Sequence, residues 1–435
     1  MLSRKYDSFS EQTILHIALP AIVSNITVPL LGIIDTAIVG HLGSPTYIGA
    51  IALGSMVFSL MYWLFGFLRA GTSGFTSQAL GAENHEEVTY SLYRSLIFAV
   101  GVGVLLLLLG HPLSRLAFRL ADASSEVEAS ALTYFHILIW GAPTVLPLYG
   151  LNGWFIGHGD TRSTMRIAIA QNLLNVIASL GFVLVAKMQV AGVAAGTLLA
   201  QYAGLLMAIV TWRTRYAHYR HAFHFSRLVQ KEKLRRFFSV NRDIFLRTLC
   251  ILSVTTFFTI AGSRQDDLTL AANSLLMQLF LFFSYFVDGF ANAGESLAGR
   301  LTGAGQPTEL RRMLSALFRM GAAIAAAFTL CYAVLGSTLL SLLTHHGDVQ
   351  ARALQFLPWT MAVPLLGFAA FLWDGVFIGL TATRKLLLTM LTATVGFFAC
   401  YYLTFPMLMN HGLWLSFCLF LLLRSAVATL LSRRG

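Results

Sequence analysis

The polar side chains that could do chemistry in this chain are few, and they stand in apolar surroundings. Asp35 lies in "NITVPLLGIIDTAIVGHLG" (25–43), where no Lys or Arg accompanies it. Asn172, Asn175 and Ser179 in "AQNLLNVIASLG" fall at i, i+3 and i+7, one face of a helix. Asn25 and Thr197 are further candidates for the same polar cluster. Removal from water penalises the charged form of a carboxylate, so an acid in such a run is suited to taking up and releasing a proton. The alternative is that Asp35 caps a helix end or faces outer headgroups, although "TAIVG" carries the apolar run on beyond it. The amides either tune that carboxyl group or bond neighbouring helices to one another, as amides inside membranes commonly do.

A second polar stripe runs through "MQLFLFFSYFVDGFANAGES", with Gln278, Tyr285 and Asn292 at intervals of seven and Asp288 and Glu295 beside them. It reads as the wall of a cavity. Pro20 removes one backbone donor from the run that carries Asp35, which makes a hinge there unless Pro20 occupies the first turns of its helix. His345, His346 and Asp348 form the one metal-like cluster, "THHGD". Adjacent histidines point to different faces, and neither spacing nor ligand count fits a zinc site, so no metal is expected. The sequence has no P-loop, GxSxG or HExxH. It also lacks the His/Asp or Ser/His constellation of a membrane-embedded enzyme. ATP-driven transport and hydrolysis are thus unsupported, and the chain reads as a non-enzyme without a cofactor.

The elements that must position these residues follow from composition. Of 435 residues, 57% are hydrophobic and 11% charged, where a soluble domain carries about 25% charged. Apolar runs long enough to cross a bilayer recur along the whole length. Short alternating strands, the mark of a barrel, are missing. Twelve spans are expected, approximately 13–40, 48–70, 91–118, 131–150, 165–186 and 189–212 in the first half. The second half has 243–263, 268–292, 313–343, 353–373, 386–408 and 411–431. The run after Arg4 and Lys5 has no small-residue cleavage site and reads as a retained span. Cys250, Cys331, Cys400 and Cys418 lie inside apolar runs and read as small buried hydrophobes.

The net charge of +11 falls between the runs rather than on a binding face, so it orients the chain and does not argue for nucleic acid. With the N-terminus inside, the outer loops hold only Arg115, Arg119, Lys187, Arg264 and Arg352 of the 30 Lys and Arg. Both termini and the central polar segment are therefore expected in the cytoplasm.

Self-comparison divides the chain. "NGWFIGHGDTR" (152–162) matches "DGVFIGLTATR" (374–384) with six identities, and the same offset pairs Gly81-Ala82 with Gly303-Ala304 and Ile22 with Ile244. The expected organisation is a lobe of six spans (1–212), a basic solvated linker (213–242) and a second lobe of six (243–435). An even number of spans makes the lobes parallel repeats, the plan of two-lobed transporters that rock around a central cavity. The lobes differ in their polar groups: Asp35 corresponds to Phe257, Asn175 to Phe397 and Pro20 to Arg242. Coupling chemistry should then be one-sided. Asp374 and its partner Asn152 read as structural hydrogen-bonding groups.

With these residues in view, the chain resembles the multidrug and toxic compound extrusion (MATE) transporters, specifically the DinF branch. The resemblance rests on "ALPAIVSNITVPLLGIIDTAIVGHLGSPTYIGAIALG", the turn after span four and "NLLNVIAS", and it covers essentially the whole chain. It implies an all-α polytopic fold of twelve transmembrane helices in two six-helix lobes, in a bacterial inner membrane. It also implies export of organic cations, amphipathic drugs among them, in exchange for protons or sodium, by a protein expected to be a monomer in the lipid bilayer. The first-span acid carries over to Asp35 as the coupling residue, and the span-five asparagine and its neighbour to Asn175 and Asn172. Many relatives have an acid four residues on, where this chain has Ser179. Sodium-coupled relatives place acids around spans seven and ten, and this span seven has none after Asp243. A proton is therefore the expected coupling ion. A sodium-coupled exporter is one alternative. A lipid or polyisoprenoid flippase is another, but the two extra spans and basic cavity usual in such proteins are not evident.

Overall fold

In lipid a backbone must satisfy its own polar groups, and helices do so within one segment. The computed structural model describes residues 10–40, 45–121, 124–219 and 224–433; the side chains of 28–37, Asp35 among them, lie outside the described residues. The described residues form helices and turns, with no strand. The first helix, α1, is Glu11–Gly40. Eleven more are long and apolar enough to cross a membrane: α2 (Thr46–Gly81), α3 (His85–Leu108), α4 (Ser125–Gly157), α5 (Thr161–Val185), α6 (Gln189–Arg215) and α7 (Lys231–Ser263). They continue with α8 (Asp267–Gly303), α9 (Pro307–Leu343), α10 (Gly347–Gly379), α11 (Thr383–Leu408) and α12 (Asn410–Ser432). The all-α, polytopic expectation is met, with eleven candidate spans among the described residues besides α1.

Side-chain caps start three of these helices. Asn84 accepts from the Glu87 N–H at 2.9 Å before α3, and Asp160 from the Ser163 N–H at 3.1 Å before α5. Asp266 accepts from both the N–H (2.6 Å) and the hydroxyl (2.8 Å) of Thr269 before α8. Each cap satisfies a backbone donor that the helix leaves over. The two bonds to Thr269 also hold the Asp266 carboxyl below the usual carboxylate range.

The repeat has a physical meaning. Gly153 and Gly157 of α4 lie against α2, where an added Cβ would come within 2.1 Å of the Arg69 carbonyl oxygen and 2.7 Å of that of Ser73. Gly375 and Gly379 of α10 lie against α8 in the same way, 2.1 Å from the Ala291 oxygen and 2.2 Å from that of Glu295. All four pairs are related by the offset seen in the sequence. The motif thus keeps glycine where two backbones touch, the usual device for close helix packing in membranes. The turns repeat as well: Gly159 (φ 75°) matches Thr381 (φ 50°), and Glu83 (φ 53°) matches Gly305 (φ 67°).

The chain packs as two compact units. One comprises Val23–Phe237; the other combines the stretch up to Ile22 with the stretch from Phe238 onward. In the first, Val88, Leu92, Leu151, Trp154, Phe155 and Ile167 form a buried core with Tyr216 and Tyr219. In the second, Phe258, Phe283, Phe377, Phe397, Trp414 and Phe417 are almost fully buried.

Two expectations change, for the central segment and the cysteines, and one alternative, for Pro20, is excluded. The segment between α6 and α7 is not a solvated tether, because its aromatic residues complete the core of the first unit: Tyr216, Tyr219 and Leu228 are buried. The Thr89 hydroxyl donates to the Tyr219 carbonyl, the His224 N–H to the Tyr90 hydroxyl at 3.0 Å, and Arg94 Nε to the Leu228 carbonyl at 3.4 Å. Charge pairs Lys233–Glu87 (3.2 Å) and Arg227–Glu86 (3.4 Å) line the same contact, and α7 begins twelve residues ahead of the expected boundary, at Lys231. Pro20 is buried inside α1, nine residues after Glu11, so it does not sit in a first turn. Of the cysteines only Cys418 is buried; the other three are partly exposed.

Candidate transport site

α5 carries the polar face foreseen from its spacing. Asn172 Nδ2 donates to the backbone carbonyl of Thr27 in α1 at 3.1 Å. Asn175 Nδ2 donates to Thr197 Oγ1 in α6 at 3.0 Å, and that hydroxyl donates to the Val193 carbonyl at 3.0 Å. Ser179 Oγ donates to Asn175 Oδ1 at 3.4 Å. Asn175 and Ser179 are 1% and 0% exposed, while Thr197 is half-buried. Gly196 of α6 lies directly against Ser179: a Cβ on Gly196 would come within 2.4 Å of Ser179 Oγ. Three of the expected cluster residues, Asn175, Ser179 and Thr197, are therefore bonded together, and Asn172, on the same face of α5, bonds separately to α1. Asn25 is half-buried on α1, and the Asp35 side chain lies outside the described residues.

In α8 the expected cavity wall presents an exposed Gln278 and half-buried Tyr285, Asp288 and Asn292, while Glu295 is buried at 1% exposure. At the positions equivalent to Asp35 and Asn175, Phe257 and Phe397 meet edge to face with centroids 6.1 Å apart. Phe257 also lines an apolar groove of about 470 Å³ with Leu252, Thr256, Ile260 and Phe398.

The sequence reading missed two arginines. Asp374 Oδ2 accepts from Arg424 Nη2 of α12 at 2.7 Å and from Arg247 Nη2 of α7. The Arg424 guanidinium also lies over the rings of Phe371 (5.2 Å) and Phe420 (5.4 Å). A charge at the centre of a membrane helix costs about 3 kcal/mol, so a lone Arg within "FLLLRSAV" was the available signal. The structural bond expected of Asp374 is an ion pair with two partners.

Where α6 meets the segment before α7, Asp160 accepts from Tyr216 at 2.7 Å and Ser163 at 2.6 Å. Burial first, then the Asp160 charge, push the Tyr216 phenol up. Burial and then His85 lower the His218 imidazole.

The geometry describes a helical membrane protein whose few interior polar groups bond to helix backbones and to one another, the plan of a solute carrier. The MatE family model matches the chain twice, at residues 20–180 and 244–402. The chain belongs to the MATE family of transporters and is not an enzyme. It is 35% identical over 425 residues to DNA damage-inducible protein F of Escherichia coli K12, covering 98% of this chain and 92% of that one. Among solved structures, an outward-facing MATE transporter matches with a TM-score of 0.89 at 20% identity, over 98% of this chain and 95% of that one. A MATE structure described as being in the bent conformation matches with a TM-score of 0.86 at 19% identity, over 97% and 94%. These likenesses agree in fold with a multi-pass membrane transporter.

Proposed function

We propose that this chain is a proton-coupled antiporter that exports cationic amphipathic compounds across the bacterial cytoplasmic membrane by alternating access. It acts as a monomer, with both termini and the segment between α6 and α7 on the cytoplasmic side. The observation that carries this reading is the polar face of α5: Ser179, Asn175 and Thr197 bond in one chain towards α6, and Asn172 on the same face bonds separately to the Thr27 carbonyl of α1. In a twelve-span chain α1 and α5 run in the same direction. Asp35 lies eight residues beyond Thr27, about 12 Å along a helix, and Ser179 lies seven beyond Asn172. The reading takes Asp35 to act together with these amides.

Amides suit both protonation states, since each can donate to a carboxylate or accept from a carboxylic acid. Ionised Asp35 holds an organic cation; a proton arriving from outside removes the charge, changes the bonds to the amides, and lets α1 bend at Pro20. The description of a related fold as bent supports such a step. Gln278, Tyr285, Asp288 and Asn292 supply further substrate contacts. Proton and substrate disfavour each other's binding reciprocally, as antiport requires. One charge moving through 100 mV contributes about 2.3 kcal/mol, enough to drive a useful gradient.

The test is dye efflux from proteoliposomes under an imposed pH gradient and then a sodium gradient, with drug susceptibility of a pump-deficient bacterium alongside. The pH gradient should drive efflux by the wild type, and Asp35→Asn should abolish both efflux and resistance. Unchanged resistance in the variant overturns the role of Asp35; efflux with sodium alone overturns the coupling ion.

A further inference from the structure

Asp374, Arg247 and Arg424 tie three helices of the second unit to one oxygen atom. Both guanidiniums donate to Oδ2 of Asp374; the Arg424 side chain is 4% exposed, the Asp374 side chain 10% and that of Arg247 19%. Asp288 of α8 adds its negative charge to the electrostatic surroundings of Arg424. At the equivalent positions of the first unit stand Asn25, Asn152 and Tyr202, none of them charged at neutral pH. The charged trio is therefore particular to one half of a repeated frame.

A carboxylate inside a membrane transporter is an obvious seat for an exchangeable cation. Here that seat is taken by groups that cannot leave. A guanidinium stays charged at any physiological pH and is fixed to its helix. The directly bonded trio carries one net positive charge, which Asp288 offsets, so no uncompensated negative charge is left for a further cation, and specificity can be built against a wrong partner as well as for the right one. We propose that Arg247 and Arg424 are tethered counter-ions of Asp374, standing where a mobile cation would otherwise bind and confining cation coupling to the first unit. They are specificity-determining residues that need not touch substrate. The inference rests on the antiporter reading above and deepens it by stating why the second unit contributes no coupling ion.

The test is a sodium titration of the purified, detergent-solubilised full chain, sodium chloride against choline chloride at constant ionic strength, read by tryptophan emission. Trp373 adjoins Asp374 in the chain and supplies the reporter. Arg247→Met with Arg424→Met should give a saturable sodium response, with a half-saturating concentration about tenfold or more below that of wild type. Adding Asp374→Asn should remove the response. Should the double variant not fold, Arg247→Met alone keeps the buried Arg424–Asp374 pair and should give a weaker response of the same kind. Folded variants that respond no more than wild type overturn the proposal, as does a response that survives Asp374→Asn. Efflux by the wild type under sodium alone would instead count against the proton reading, and the titration would still decide the arginines.

Discussion

At the scale of single residues, Ser179 is where resemblance and structure meet. The family resemblance implies an acid there in many relatives, and Ser179 alone would not explain a serine in its place. Gly196 does: its backbone already lies against the serine hydroxyl, with no room for a larger group. A carboxylate at this position would have to displace α6, and overpacking of this kind costs about 1–3 kcal/mol. Ser179→Asp should therefore lower the thermal midpoint in detergent without raising proton-driven efflux. Ser179→Ala gives up a single 3.4 Å bond and should leave both close to wild type. A stable aspartate variant with faster efflux would sink this account. The face formed by Asn172, Asn175 and Ser179 was legible in their spacing. The anchor of Asn172 at Thr27 was not, because a backbone carbonyl has no sequence signature. Arg247 and Arg424 were visible as charges in apolar runs, but their convergence on Asp374 depends on how three distant helices pack.

Among elements, the pairs α2–α4 and α8–α10 are held by backbone contact, and the repeat motif records it. Gly153 and Gly375 each face a carbonyl that an added Cβ would approach to 2.1 Å. A carbonyl on a helix backbone cannot rotate away as a side chain can. Gly153→Val and Gly375→Val should each lower thermal stability by a similar amount, measured as the loss of monodisperse protein after heating. Gly101→Val, where a Cβ meets nothing within 4 Å, is the control and should be tolerated. Equal tolerance at all three sites would show that the helices can separate freely. The motif could be found by self-comparison, but its cause could not, since sequence identity does not say which backbone lies opposite. The segment between α6 and α7 was misread for a related reason. Its charges suggested solvent, while the few residues that decide its position are Tyr216, Tyr219 and Leu228.

For the whole molecule, hydropathy and the repeat made twelve helices in two halves legible, yet the actual division of the packing was not. It falls inside α1, between Ile22 and Val23, and inside α7, between Phe237 and Phe238. The apolar run of α1 does not change character at that point, so composition gives no warning. Each unit is consequently built from both halves of the chain. In one, Ile14, Ile17 and Ala18 are buried and Ile22 meets α8 at Gly289. In the other, Phe237 stacks near Phe75 and Phe98, beside the Lys233–Glu87 pair. The Glu11–Arg319 pair at 2.5 Å is more than half exposed on both sides, and exposed pairs contribute about 0–1 kcal/mol; packing of the apolar residues must carry the exchange. A protease site engineered at Gln230 tests this, because cutting there separates residues 1–230 from α7–α12. The two fragments should co-elute from size exclusion in mild detergent and retain efflux after reconstitution. Starting the chain at Val23 before cleavage removes one of the two exchanged ends and should lower the temperature at which the fragments part. Fragments that separate on cleavage at ambient temperature would mean that the exchanged helix ends touch without holding, and that the covalent connection alone keeps the halves together.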